Sequence, residues 1–269
     1  MEDRPVDEPA HMPPLELAEW TREDGGAHAQ DTIVVLPVGS LEQHGPHLPA
    51  GTDALIAEHV AREATRLVVR DTPVAVAPVL SYGCSQHHLP FGVTASLRTE
   101  TYLAVLRDLL GSLAESGFRK LFVLNGHGGN HEAVRIAVRD IGLERSVHLV
   151  AASYFDLARG EFEAAGVLDV GEVPGHAGAF ETSLLLAILP ASVRWERLPE
   201  PAPSSVGDPS PRERPYRYVA PGPFRGGRGF SDDPSRGSGE LGRRLVHACV
   251  LAAARSLQEF SASTSSGSL

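Results

Sequence analysis

Thr32-Ile33-Val34-Val35-Leu36-Pro37-Val38 is apolar at every position after the first. A strand with one wet face alternates polar and apolar residues. A strand apolar throughout has both faces covered, as in parallel sheets with helices packed on either side. The run stops at Gly39, and a Gly/Pro-rich loop leads to Thr52. Asp53 reads as the N-cap of a helix to about Val69, with Ile56, His59, Val60, Ala64 and Leu67 on one face. Further out come a strand from Val74 to Leu80, a polar loop to Leu97, and a helix from Thr99 to about Gly117. A strand from Lys120 to Leu124, a helix from His131 to about Leu143 and a strand from Val147 to Ser153 follow. Three successive strand–helix alternations predict an α/β fold with a mainly parallel central sheet and helices on both faces.

Beyond the fourth strand, Phe180 to Ile188 reads as a helix and residues 199–240 as an irregular excursion rich in Pro, Gly and Arg. A helix from about Glu240 to Phe260 closes the domain. The expected organisation is an N-terminal extension (1–30), one α/β domain (31–260) and a disordered Ser-rich tail (261–269). The hydrophobic fraction is 42% and the charged fraction 22%, which suits a folded globular chain rather than a disordered one. A net charge of −10 argues against nucleic acid as a partner. The Arg-rich stretch 212–228 is the local exception, read as solvated or as a subunit contact in preference to an anion-binding surface. Two cysteines, Cys84 and Cys249, exclude a disulfide framework. The opening MEDRPVDEPAHMPP lacks the apolar run of a signal peptide, and no stretch reaches the roughly 20 apolar residues of a membrane span. A soluble, cytoplasmic protein without a membrane partner is expected.

In open parallel sheets, functional groups gather beyond the carboxyl ends of the strands. The loop after the first strand carries Glu42, His44 and Asp53, and in extended backbone the i, i+2 spacing turns Glu42 and His44 to one side. The loop after the third strand offers His127 among glycines, and Gly175–Ser183 adds His176 and Glu181. Each alone has a plain structural explanation: a helix cap, a loop histidine, a first-turn acid favoured by the helix dipole. Their joint placement at strand ends points instead to a mixed nitrogen and carboxylate ligand set, suited to Zn²⁺, Mn²⁺ or Fe²⁺, in which a carboxylate such as Asp53 can bridge two ions.

The strings GSLEQHGPHLPAGTD, NGHGGN and GHAGAFETS resemble the creatininase family of binuclear metal amidohydrolases. The likeness runs from about residue 31 to 190, and weakly through GGRGFSDDPSRGSGELG. It implies a three-layer α/β/α domain, a homohexamer, and two divalent metal ions (Zn, Mn or Fe) per chain. By position, Glu42 and His127 would hold one ion, His44 the other, and Asp53 both. Creatinine-cleaving members read N-G-H-Y-E-N around the matching histidine, and that Glu is a ligand. Here the position is Gly129, and Glu181 of the shared E-T-S motif is expected to take its place. His176 matches the family histidine that handles protons. Tyr82–His88 resembles a family Y-G-x-S-x-E-H loop, with His88 in the last place and His87 where the Glu would be. His47, His88 and Asn130 are expected to support the ligands or the substrate.

The implied activity is hydrolysis of a non-peptide amide, cyclic or formyl, by a metal-bridging hydroxide, with His176 as catalytic acid–base. The runner-up is a peptidase trimming a ribosomally made redox-cofactor precursor (mycofactocin-type); a non-catalytic metal-binding protein is the reading from another class. Creatinine itself is disfavoured, because Trp20 and Trp195, the only tryptophans, lie outside the motifs. A serine hydrolase is disfavoured because Gly83-Cys84-Ser85-Gln86-His87 lacks the closing glycine of a nucleophile elbow. No G-x-G-x-x-G, Walker or H-E-x-x-H motif occurs.

Overall fold

Odd and even residues of the first strand serve two different cores. The computed structural model describes residues 13–167, 171–198 and 228–265. Strand β1 (Ile33–Val38) sends Ile33 and Val35 to one side of the sheet and Val34, Leu36 and Val38 to the other. It pairs in parallel with β2 (Val74–Val76) on one edge and β3 (Lys120–Asn125) on the other, and β3 pairs with β4 (His148–Ser153). The strand order is β2-β1-β3-β4. Val35, aligned with both Val76 and Phe122, marks the register at the centre.

Helices cover both faces, as the unbroken apolar strands require. On one side α2 (Thr52–Val68) packs Ile56, Val60 and Ala64 against Ile33, Val35 and Phe122, together with the short helices α5 (Tyr154–Leu157) and α6 (Arg159–Ala164), α7 (Ala179–Ile188) and α8 (Gly239–Ser265). On the other, α3 (Thr99–Glu115) and α4 (His131–Glu144) pack Tyr102, Leu106, Leu110, Val134 and Ile141 against Val34, Leu36 and Val123. The three layers are those expected. The sequence-based face of α2 errs at one position: Leu67 is 56% exposed and Val68 is buried in its stead. None of the helices among the described residues is long and apolar enough to cross a membrane.

Both chain ends differ from the expected boundaries. The segment before β1 is integrated: Leu15 O accepts from Val76 N (2.9 Å), Glu16 bridges to Val76, and α1 (Arg22–His28) begins with a Thr21–Asp24 capping box. At the far end α8 continues to Ser265, where a disordered tail from 261 was expected. Ser263 and Thr264 bond back to Glu259 O and Phe260 O, and Phe260 packs edge-on against Phe122. Most of the expected excursion 199–240, with its Arg-rich stretch, lies outside the described residues.

The strand order fixes where a site can form. From β1 the chain crosses by α2 to β2 on one edge, then returns by α3 to β3 on the other. Connections that leave adjacent strands in opposite directions open a crevice between their carboxyl ends. Here that crevice lies beyond Val38 and Asn125. Gly126 lets the first turn of α2 close its floor, since a Cβ there would meet Asp53 O at 2.7 Å.

Candidate metal centre

All nine residues singled out from the sequence are buried: Glu42, His44, His47, Asp53, His88, Asn130, His127, His176 and Glu181. So much buried polarity is costly unless each group is matched by a partner. Asp53 is not the N-cap of α2; Gly51 holds that position, and Asp53 sits in the first turn with its side chain aimed into the crevice. Its two oxygens face different histidines, Oδ1 toward His44 Nε2 (3.2 Å) and Oδ2 toward His127 Nδ1 (2.9 Å). Ser40 donates a hydrogen bond to Oδ2 at 2.7 Å.

Glu42 lies across His127 from Asp53, with Oε2 at 3.2 Å from His127 Nε2. Its Oε1 faces His88 Nε2 at 3.3 Å and His176 Nδ1 at 3.4 Å. Neither carboxylate oxygen makes a hydrogen bond. Glu181, on the first turn of α7, approaches His44 Nε2 at 3.6 Å and accepts from Ala177 N at 2.5 Å. Three sets of ligand atoms therefore lie within 4.8 Å of one another: Glu42/Asp53/His127, His44/His176/Glu181 and Glu42/His88/His176. The supporting residues divide. Asn130 ties two loops together, accepting from Cys84 N and donating to Gly39 O, each at 2.9 Å. His47 bonds Thr182 Oγ1 (2.9 Å), next to Glu181, and touches none of the ligand atoms.

The protonation pattern is that of a ligand set without its cations. Burial alone would lower His44, yet Asp53 and Glu181 hold it well above the ordinary imidazole range. At His127 burial is outweighed in the same way by Glu42 and Asp53, giving about 9. Burial pushes Glu42 up to about 7 and also raises Glu181. Asp53, despite burial, is held well below the carboxylate range by His44 and His127. Burial lowers His88 to about 2, and drives His176 well below its ordinary value, with His44 and His88 adding to the effect. His44 and His127 are thus raised by the same carboxylates, Glu42, Asp53 and Glu181, that a divalent cation would find as ligands.

Sequence reading missed several groups. Gln43, between Glu42 and His44, bonds the segment at Gly229 and contacts both His88 and His176. Ser231 and Asp232 clasp the His176 loop: His176 N donates to Ser231 Oγ, and Glu172 N and Ala179 N donate to Asp232. Gly129 has no room for a side chain, since a Cβ would stand 2.3 Å from Cys84 O and 2.5 Å from His127 Nε2.

The family profile described as creatinine amidohydrolase matches residues 18–257. The chain belongs to the creatininase family. Among creatininase relatives, a mycofactocin precursor peptide peptidase of Mycobacterium tuberculosis is 38% identical over 228 residues, 81% of each chain. A creatinine amidohydrolase of Pseudomonas putida is 29% identical over 259 residues, 89% of this chain and 94% of that one. The crystal structure of a creatinine amidohydrolase superimposes with a TM-score of 0.75 at 29% identity, covering 91% of this chain and 98% of its own. Solved creatininases of this fold include a manganese form and a Zn–Zn form. The chain is accordingly a creatininase-family hydrolase with residues fit to bind metal.

Proposed function

We propose that this creatininase-family chain hydrolyses an amide bond with two divalent ions, Zn²⁺, Mn²⁺ or Fe²⁺. The observation that carries the reading is Glu42: a buried carboxylate without a hydrogen bond, ringed by three imidazole nitrogens at 3.2–3.4 Å. Such a donor set suits a borderline cation. Glu42, Asp53 and His127 would hold one ion, and His44, Asp53 and Glu181 the other, with Asp53 shared through its two oxygens. Bound ions supply what an amide needs, lowering the pKa of water from about 15.7 toward roughly 7 and polarising the carbonyl. The chain's own task is then proton transfer and alignment. His176 stays neutral in its buried position beside Glu42, ready to take a proton and return it to the leaving nitrogen.

For the substrate, the 38% identity to a peptidase favours a peptide amide in a short or precursor chain. A small cyclic or formyl amide ranks second, supported by the 29% relation to a creatinine amidohydrolase. Creatinine itself is disfavoured on the position of Trp20, which packs on Phe118 just before β3, at the end of that strand opposite to His127. The proposal includes a homohexameric assembly and a cytoplasmic location. Chelation should abolish turnover of peptide, formamide and cyclic-amide substrates alike, and Zn²⁺, Mn²⁺ or Fe²⁺ should restore it for one class. Protein carrying two ions per chain that cleaves none of the three would be a metal-binding protein instead.

A further inference from the structure

Gln43 lies between two proposed metal ligands in sequence, and in space its amide meets two histidines. Its Oε1 accepts from Gly45 N at 2.9 Å and its Nε2 donates to Gly229 O at 2.7 Å. Both partners are backbone groups of fixed polarity, so the amide has one orientation. Nε2 lies also 2.9 Å from His88 Nδ1 and 3.0 Å from His176 Nε2. An amide nitrogen has two hydrogens, and here three atoms surround it. Gly229 O takes one. His176 Nε2 has another neighbour, the main-chain oxygen of Gln43 at 2.9 Å, which can only accept.

One allocation puts a hydrogen in the contacts to Gly229 O (2.7 Å), His88 Nδ1 (2.9 Å) and Gln43 O (2.9 Å) together. The second amide hydrogen goes to His88 Nδ1, and His176 Nε2–H donates to the Gln43 carbonyl. The opposite choice sets the lone pairs of Gln43 O and His176 Nε2 face to face at 2.9 Å. It also leaves His88 Nδ1 against an amide nitrogen with no hydrogen to give. In neutral form both rings then carry their proton on Nε2. For His88 that N–H faces Glu42 Oε1 at 3.3 Å; for His176 the lone pair on Nδ1 faces the same oxygen at 3.4 Å.

We infer that Gln43 is a positioning residue that sets the tautomers of His88 and His176. Its side chain turns the His88 Nε2–H toward the Glu42 carboxylate at 3.3 Å, and its main-chain oxygen makes His176 work through Nδ1. The place of His176 in the reaction rests on the proposed function, whereas the tautomer assignment rests on hydrogen-bond geometry alone.

Long-range ¹H–¹⁵N correlation spectra of the histidine rings in zinc-loaded full-length protein read the tautomers directly. Loss of signals in His88→Gln and His176→Gln supplies the assignments. We expect both rings protonated on Nε2. In Gln43→Met, which removes the amide and keeps the main-chain oxygen, His88 should lose its preference while His176 retains it. Turnover should fall tenfold to a hundredfold with KM little changed and two zinc ions per chain retained, the scale of a lost supporting partner. A proton on Nδ1 of either ring in the wild type, or a His88 tautomer unmoved by Gln43→Met, overturns the inference. Should Gln43→Met not fold, the wild-type spectrum alone decides. If the protein takes up no zinc, the proposed function fails, and the metal-free spectrum still tests the tautomers.

Discussion

The two halves of the candidate metal centre are built to different standards. Glu42, Asp53 and His127 stand at the ends of neighbouring central strands and on the first turn of α2, all tied to the sheet. Asn125, the last residue of β3, accepts from His127 N and donates to His127 O, and Ser40 holds Asp53. His44 shares the β1 loop with Glu42, while its partners Glu181 and His176 depend on the loop from Gly171 to Gly178. That loop is secured by Ser231 and Asp232, more than fifty residues further on. It also passes through Ala177 at φ 48°, in the left-handed region where a side chain costs about 1–3 kcal/mol. The strained turn aims Ala177 N–H at Glu181. A ligand set inherits the rigidity of what carries it, so the two ions should differ in how readily they leave.

The largest effect expected is at the group common to both halves. Asp53→Ala should remove both ions and reduce turnover to background, read as a metal-to-protein ratio near zero by elemental analysis. A ratio of two would mean that the halves do not share Asp53. Next come the residues of the second half alone. Glu181→Gln should release one ion and keep the other, whereas His176→Ala should keep both and lose roughly 10² to 10⁴ in turnover, the usual worth of an acid–base group. Metal loss from His176→Ala with both ions retained in Glu181→Gln would exchange the two roles. The smallest effect is indirect. Asp232→Ala strips the acceptor from Glu172 N and Ala179 N, for about 1–3 kcal/mol of stability. It should weaken the second ion about tenfold in a zinc titration while leaving the first unchanged. Equal weakening of both would erase the contrast between a sheet-held half and a loop-held half.

The scaffold was readable because its signals are local. Continuous apolar runs gave β1, β3 and β4, and helical periodicity gave α2, α3 and α4 to within a residue or two. Strand β2 is shorter than its apolar run: beyond Val76 pairing breaks off, and contact with β1 resumes only as a bridge at Leu80. Nine candidates were legible, and all are buried on or around one crevice. What they do to each other was not. Asp53 passes as a helix cap until its partners are known. Gln43 looks like a spacer between two better candidates, and Asp232 belongs to a segment whose relation to His176 exists only in three dimensions. Integration of the first turns was hidden because Leu15 and Glu16 meet Val76 through their backbone, which sequence pattern does not report.

Gly129 constrains how this chain could change. The Glu expected at this position from the N-G-H-Y-E-N pattern does not fit here, because any side chain would run into the Cys84 carbonyl and the His127 ring. The two ligand arrangements are therefore not one substitution apart. A carboxylate at position 129 would need the backbone at Cys84 to shift before it or together with it. Such ordered dependence is a ratchet: while the loop is closed on a glycine, a carboxylate at this position is locked out by the ring it would need as its neighbour.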